Sequence, residues 1–153
     1  MKKNYLEKNI EKKCAVCGGN YMTSELDLYP CPHCGWYNDL MCEEHENEVV
    51  YRNLISFNKA KELHAEGKPL KPNLNDFLKG LYFYSEMQFY YKGKGYGLFL
   101  TSHDSNKDVI DFFEFDCDSI GIYDTKEDFI ANAKIGDEYV RDIWDKVENP
   151  SYM

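Results

Sequence analysis

Four of the six cysteines in this 153-residue chain form two short, matching repeats. Cys14-Ala-Val-Cys17-Gly18 is followed, after an interval of thirteen residues between the inner cysteines, by Cys31-Pro-His-Cys34-Gly35. A Cys-x-x-Cys-Gly turn points both sulfurs to one side, and its glycine permits a positive φ. Two such turns supply four thiolates at tetrahedral corners, the coordination that Zn²⁺ adopts in structural sites. The sequence therefore predicts one zinc ion bound by Cys14, Cys17, Cys31 and Cys34.

Other chemistry for these cysteines is less consistent with the pattern. A redox dithiol of the thioredoxin type has one Cys-x-x-Cys near a βαβ unit, not two matched turns. Iron suits the same sulfur cage and is an expected substitute for zinc. Because a catalytic zinc keeps one position open for water, four cysteine ligands predict a structural ion.

The remaining histidines and cysteines near these motifs have simpler interpretations. His33 lies inside the second turn and is expected to pack outside the cage. Cys42 and His45 have metal-ligand spacing, but no partner pair follows, so an exposed polar loop is predicted. Cys117 is expected to be a small buried hydrophobe, and His64 a packed core or boundary histidine on its helix face.

Composition indicates a folded protein in a reducing compartment. Hydrophobic residues make up 43% of the chain and aromatic residues 16%, more than a disordered chain carries. No apolar run approaches the roughly 20 residues of a membrane helix, and no apolar stretch follows the first lysines as in a secretory signal. Six cysteines without a signal favour metal binding over disulfides, so a cytoplasmic location is expected.

The first domain is predicted to be a small zinc ribbon with a trailing helix, over residues 1–67. Residues 1–13 alternate charged and polar types and are expected to form a charged arm. The ribbon is expected over 12–39 and an acidic loop over 40–48. Ser56 then precedes apolar residues at helical spacing, which predicts a capped helix that ends at Gly67.

Residues 68–72 contain two prolines without periodicity and predict a linker before a second domain, 73–153. Its patterns predict helices over 73–79, 125–133 and 137–147 and strands over 87–92, 96–101, 109–116 and 120–123. Gly93-Lys94-Gly95 is expected to be a hairpin turn. The last helix would carry an apolar stripe of Val140, Ile143, Trp144 and Val147. The whole chain is thus predicted to be α+β, with helices packed on an antiparallel sheet.

Two segments resemble known bacterial families. The sequences CAVCGG, YPCPHCGWYND and SFNKAKELHAEG resemble the cysteine-rich CPCC family of zinc-ribbon domains over residues 14–67, although Val16 stands where that family has a further cysteine. The sequences FYYKGKGYGLFL and YDTKEDFIANAKIGDEYVRDIWDKV resemble immunity proteins of polymorphic toxin systems over residues 73–148. The first resemblance implies a fold, and the second implies a protein that binds and neutralises a cognate toxin.

The charge is concentrated in the last third of the chain. Residues 101–153 hold 14 acidic and 5 basic residues, so they account for the whole net charge of −9. Such a surface repels a phosphate backbone and attracts a basic protein, for example a basic toxin domain. The candidate partner-binding residues are Asp104, Asp108, Asp111, Glu114, Asp116 and Asp118.

Two other functions are weaker predictions. A nucleic-acid-associated zinc ribbon would use Lys2, Lys3, Lys8, Lys12 and Lys13 with Tyr5 and Tyr21. Glu7 and Glu11 offset those lysines, and the net charge disfavours a nucleic-acid partner. An enzyme is disfavoured because the sequence has no nucleophile elbow, phosphate-binding loop or zinc-protease motif.

Overall fold

A computed structural model describes residues 8–24, 29–50, 52–102 and 107–152. The chain divides into two compact units, one ending at Lys71 and one beginning at Pro72. The boundary lies inside the segment 68–72, where the sequence predicts a linker. Each unit has buried apolar side chains of its own.

The first unit begins with an antiparallel hairpin of β1 (Asn9–Lys13) and β2 (Asn20–Ser24). Tyr21 and Thr23 of β2 are buried, and they pair with partly buried residues of β1. The prediction of a charged arm is therefore wrong for residues 9–13, because pairing satisfies the backbone and lets alternate side chains face inward. Residues 1–7 of that arm lie outside the described residues.

Two helices follow, α1 (Leu40–Glu44) and α2 (Phe57–Ala65). The carboxylate of Asp39 accepts a hydrogen bond from the first turn of α1, so the predicted acidic loop over 40–48 is wrong at its start. Ser56 caps α2 as predicted, accepting from the N–H of Lys59 at 3.2 Å. His64 is exposed near the end of α2, so the prediction of a packed histidine is wrong.

The core of the first unit surrounds the two cysteine turns. Trp36 is 1% exposed and packs against Phe57 with ring centroids 5.8 Å apart. The fully buried Ala60 brings helix α2 against the same cluster. The buried members of this cluster are Cys14, Tyr21, Cys31, Trp36, Cys42, Ile55 and Ala60. Sulfur-bearing turns and a tryptophan thus share one small core.

The second unit is α+β, with a five-stranded antiparallel sheet, and this part of the fold prediction is confirmed. The unit contains, in order, α3 (Leu74–Tyr84), β3 (Glu86–Tyr91), β4 (Lys94–Ser102), β5 (Asp108–Glu114), β6 (Ser119–Tyr123), α4 (Lys126–Asn132), β7 (Lys134–Ile135), β8 (Glu138–Tyr139), α5 (Val140–Ile143), a 3₁₀ turn (Trp144–Lys146) and β9 (Glu148–Tyr152). The sheet order is β6-β5-β4-β3-β9. Strands β7 and β8 form a separate small hairpin.

Strands β3 and β4 are joined by a tight turn at Lys92 and Gly93, which both have positive φ. A two-residue turn of this kind matches the right-handed twist of a hairpin. The turn is therefore one residue tighter than the predicted Gly93–Gly95 connection, and β4 begins at Lys94.

Helix α3 covers one face of the sheet. Asn73 caps it by accepting from the N–H of Asp76 at 2.8 Å, and the helix continues to Tyr84, five residues beyond its predicted end. Its buried Phe77 packs edge-on against Phe89 of β3 with ring centroids 6.1 Å apart, and Phe89 is also fully buried. In the described parts of the chain, the helices lack the length and apolar character needed to cross a membrane.

The predicted helix over 137–147 is wrong. The β7–β8 hairpin, one helical turn and a 3₁₀ turn occupy this stretch, and the chain then adds β9 to the edge of β3. The apolar stripe of Val140, Ile143, Trp144 and Val147 is nevertheless buried. A single α-turn continued by a 3₁₀ turn presents the same i, i+3, i+4 residues to the core, so the spacing alone did not reveal the helix length.

Candidate metal centre

The two cysteine turns have the same backbone hydrogen bonds. The N–H of Cys14 donates to the carbonyl of Gly19 at 2.9 Å, and the N–H of Gly18 donates to the carbonyl of Cys14 at 2.9 Å. In the second turn the equivalent bonds run from Cys31 to Trp36 at 2.8 Å and from Gly35 to Cys31 at 2.7 Å. The matching sequences therefore fold into matching turns.

Each turn depends on the glycine that follows its second cysteine. Gly18 has φ +74° and Gly35 has φ +82°, in the left-handed region that residues with a Cβ rarely adopt. The N–H of Gly19 lies 3.4 Å from the Sγ of Cys17, so the backbone also donates to sulfur. Such donors stabilise the thiolate form and hold the sulfur in place.

The four sulfurs lie close enough to hold one ion. The Sγ atoms of Cys14 and Cys34 are 3.6 Å apart, and those of Cys17 and Cys31 are 3.7 Å apart. All four sulfurs lie within 4.8 Å of one another, and all four cysteines are free of disulfides. A tetrahedron with Zn–S bonds of about 2.3 Å has edges of roughly 3.8 Å. The predicted ligands are thus brought together at a spacing that fits a tetrahedral metal ion.

The thiols of this cluster differ in acidity. Burial raises the pKa of Cys14, but hydrogen bonds from the N–H groups of Cys17 and Val16 act against burial and lower the pKa to about 7. Burial raises the pKa of Cys31 and Cys34, and the neighbouring sulfur of Cys14 raises both further. Crowded thiols cannot all ionise without a compensating cation, so the cluster is suited to a divalent ion.

Asn38 links the first turn, the second turn and the hairpin, and no motif in the sequence indicates this role. Its Oδ1 accepts from the N–H of Ala15 at 2.8 Å, and its Nδ2 donates to the hydroxyl of Tyr21 at 2.9 Å. The same side chain helps to lower the pKa of Cys14. Only the folded chain brings Asn38 near residues about 20 positions away, so no local pattern could reveal this role.

His33 is placed outside the cage, in agreement with the prediction. Its Nε2 lies 3.0 Å from the carbonyl oxygen of Asn20, and its ring occupies the space beside Gly19 where a Cβ would stand. The ring is exposed to solvent and packs the second turn against strand β2.

Cys42 is not part of an exposed loop, so that prediction is wrong. It is buried within α1, and its Sγ accepts a hydrogen bond from the Nδ2 of Asn53 at 3.3 Å. Burial raises the pKa of this thiol. His45 instead lies 3.5 Å from the carboxylate of Glu48. Among the described residues, the four-cysteine group is the metal-ligand cluster that forms, and Cys42 and His45 are not members of it.

The candidate partner-binding carboxylates are divided between two faces. Alternation along β5 places Asp108 and Glu114 on the side of the buried Ile110 and Phe112, and places Asp111 on the opposite side. Ser102 donates to Asp108 at 2.7 Å, Ser119 donates to Asp111 at 2.5 Å, and the Nζ of Lys94 lies 3.4 Å from Glu114.

The last three candidates lie after β5 or outside the described residues. Asp116 and Asp118 are exposed in the turn between β5 and β6, and Asp104 lies outside the described residues. Cys117 lies in the same turn and is exposed, so the prediction that it is buried is wrong. The strand ends at Glu114 and the N–H of Cys117 donates back to its carbonyl at 3.0 Å, which turns the thiol outward.

A groove of about 640 Å³ in the second unit is lined by residues of α3, α4, α5 and the 3₁₀ turn. The guanidinium of Arg141 donates there to the carbonyl oxygens of Ile130 and Ala131 at the end of α4. Asn73 caps α3, and the carboxylate of Asp142 is 66% exposed. These polar groups serve helix ends and solvent, and they form no nucleophile–base pair of the kind an active site needs.

No protein-family model, curated protein or solved structure matches this chain. The resemblances to the CPCC and immunity families therefore stay expectations from the sequence.

Proposed function

We propose that Cys14, Cys17, Cys31 and Cys34 bind one Zn²⁺ ion, which stabilises a zinc ribbon formed by the hairpin and the two cysteine turns. The observation that carries this proposal is the spacing of the sulfurs, 3.6 and 3.7 Å across the two turns. An all-thiolate tetrahedral cage favours zinc, and iron fits it as a substitute.

The proposed zinc is structural. Four protein ligands close its coordination sphere, whereas catalysis requires an open position for water or substrate. The ion would act as a cross-link in a unit whose core is small and rich in sulfur. The zinc itself would take no part in a reaction, and we propose that the protein acts by binding a partner rather than by catalysis.

We further propose that the partner is a protein, and that the chain is a cytoplasmic immunity protein which neutralises a cognate bacterial toxin through its acidic second unit. Two features support this role. Residues 101–153 carry the whole net charge of −9, which would speed association with a basic toxin domain. The sequence of this unit also resembles immunity proteins over residues 73–148.

The experiment is a binding and protection assay with the zinc-loaded full chain. The partner is the C-terminal domain of a toxin encoded next to this gene, and the control is the toxin domain of an unrelated system. We expect a complex at or below micromolar concentration, and survival of cells that express both proteins. Two results reject the immunity role. One is the absence of a complex at micromolar concentration, and the other is that cells expressing this chain survive neither of the two toxin domains.

The alternative, a nucleic-acid-associated ribbon, has less support. Tyr21 is 6% exposed and its hydroxyl binds Asn38, so its ring is not available to stack on a base. Lys12 and Lys13 are neighbours on β1 and project to opposite sides. Salt-sensitive binding of the full chain to RNA or DNA would favour this alternative over the immunity role.

A further inference from the structure

The five-stranded sheet has one face that points away from α3 and α4. Phe89, Leu98 and Phe112 are fully buried on the core face, beneath α3 and α4. Side chains alternate along each strand, so the intervening residues form the opposite face. This outer face carries Glu86, Gln88, Tyr90, Gly95, Gly97, Phe99, Thr101, Val109, Asp111, Phe113, Ile122, Glu148 and Ser151, and the ring of Phe115 joins it from the end of β5. Val109 is buried there, and the rings of Tyr90, Phe99, Phe113 and Phe115 are half-buried.

Aromatic rings cover the middle of the outer face. Phe99 and Phe113 stack with centroids 4.7 Å apart, and Tyr90 meets Phe115 edge-on at 5.9 Å. The rings of Phe113 and Phe115 lie over glycines of β4, in the space where a Cβ would stand. The rings are therefore held against the backbone, and a partner would gain apolar contact without having to order them.

Strand β6 extends this apolar surface to the edge of the sheet. Ile120 and Ile122 are 42% and 54% exposed, and the strand between Ser119 and Tyr123 contains no charged residue. Exposed edge strands are usually protected by proline, by charged side chains or by a bulge, and of these β6 has the register irregularity opposite Phe112 and Phe113. An uncharged edge with exposed isoleucines beside an aromatic face is typical of a surface that another protein covers.

The charges of the outer face have one sign. Glu86 pairs with Phe99, Phe99 pairs with Asp111, and Asp111 pairs with Ile122, so one row across four strands reads acid, ring, acid, isoleucine. Glu148 adds a third carboxylate opposite Tyr90. None of the described outward-facing strand positions is Lys or Arg. A ring between two carboxylates favours a cation, because both the carboxylates and the ring face attract it.

We propose that the outer face docks a basic protein surface, with an arginine or lysine over Phe99 between Glu86 and Asp111 and an apolar side chain against Ile120 and Ile122. This inference rests on the proposed function, which supplies the basic protein partner. Aromatic rings on a sheet can also stack nucleic-acid bases, but that mode needs cations for the phosphates, and this face presents carboxylates.

The first experiment needs no toxin. The isotope-labelled full chain is titrated, with NMR detection, with a peptide of alternating arginine and leucine, with a matching glutamate–leucine peptide, and with oligo-dT. We expect only the arginine peptide to bind and its shift changes to map to β3–β6 of the outer face. Binding should weaken about tenfold or more in Glu86→Lys and in Ile122→Arg.

Matched controls distinguish binding at this surface from the effect of changing net charge or exposed hydrophobic area anywhere on the protein. Phe83, 79% exposed on α3, and Asp142 on α5 lie outside the outer face. Phe83→Arg and Asp142→Lys should bind the peptide within about twofold of the parent protein, and all four variants should unfold at the parent temperature. The proposal is overturned by shift changes elsewhere, by equal weakening in the controls, by no binding at millimolar peptide, or by oligo-dT on this face.

The second experiment repeats these variants with the neighbouring toxin domain. Loss of the complex in Glu86→Lys and Ile122→Arg, but not in the controls, supports both proposals. A complex that forms with all four variants overturns the proposal that the outer face is the docking surface, and leaves the immunity role intact. No toxin complex, together with arginine-peptide binding on the outer face, rejects the immunity role and supports the surface.

Discussion

The side-chain amide of Asn38 donates a 2.9 Å hydrogen bond to the hydroxyl of Tyr21, and its oxygen accepts from the backbone of the first cysteine turn. Asn38 itself follows the second turn by three residues. One uncharged side chain thus joins both turns to strand β2. These bonds hold the first cysteine turn against strand β2.

Replacing Asn38 by alanine should destabilise the first unit. The change leaves the N–H of Ala15 and the buried hydroxyl of Tyr21 without this partner, which costs about 1–3 kcal/mol. Thermal unfolding of the zinc-loaded protein measures the loss. Asn47→Ala is the matched control, because it removes an exposed amide–amide bond to Asn58 and should change stability by less than about 0.5 kcal/mol. Equal effects of the two changes would contradict the bridging role.

Substitutions of different cysteines should differ sharply in their effect on the metal content of the protein. Elemental analysis of the purified protein should find one zinc, or iron in its place, per chain. Cys31→Ser removes a buried ligand and should abolish stoichiometric metal. Cys117→Ser changes an exposed thiol outside the cluster and should retain one ion per chain. A parent protein with neither metal, or a Cys31→Ser variant with full metal content, would refute the site.

Removal of the metal should unfold the first unit and leave the second folded. The two tryptophans report on this separately, since Trp36 is buried in the first unit and Trp144 in the second. In Trp144→Phe, a chelator at neutral pH should shift the remaining emission to the red, because folding and zinc binding are coupled. In Trp36→Phe, the same chelator should leave the emission of Trp144 unchanged. A red shift in both variants would show that the second unit also depends on the metal.

Zinc affinity should fall steeply with acidification. Protons compete with zinc for the thiolates, and the pKa values of Cys31 and Cys34 are raised above their ordinary value. Both thiols must therefore lose a proton when zinc binds at any pH between 6 and 8. Cys14 has a lowered pKa of about 7, so it is largely ionised by pH 8 and releases little proton on binding there. Affinity should drop at least about a hundredfold for each unit that the pH decreases. Chelator competition at several pH values measures the slope, and a slope of one proton or fewer would contradict the four-thiol site.

The features that the sequence predicted well are local. The Cys-x-x-Cys-Gly turns and the Ser56 cap each depend on residues within a few positions of one another. Alternation and helical spacing also revealed most strands of the sheet and the buried stripe that includes Val140 and Trp144. These signals need no knowledge of the partner element, because backbone geometry alone sets their periods.

The errors concern pairing at a distance. Strand β9 gains its hydrogen bonds from β3, about 60 residues earlier, and its own sequence contains Pro150 and no apolar alternation. The sequence of β1 alone predicts a charged arm, because its strand structure depends on pairing with β2. Asn38 is a further example, since its partners are distant in sequence. Such contacts follow from the assembled fold and have no local signature.

The outer face allows a test of why β4 contains glycine at positions 95 and 97. A Cβ at Gly97 would overlap the ring of Phe113, which stacks on Phe99 and has little room to move. Gly97→Ala should therefore destabilise the second unit by about 1–3 kcal/mol through overpacking. Thermal unfolding monitored by Trp144 in a Trp36→Phe background measures this.

Phe113→Leu supplies the rescue for that change. Its smaller side chain frees the space above position 97, so the double variant should be more stable than the sum of the two single changes predicts. We expect a favourable coupling of about 1 kcal/mol, which a double-mutant cycle resolves. Strict additivity would mean that the ring does not constrain position 97. In that case the cost of alanine would come from the strand backbone, and the aromatic layer would be free to move when a partner binds.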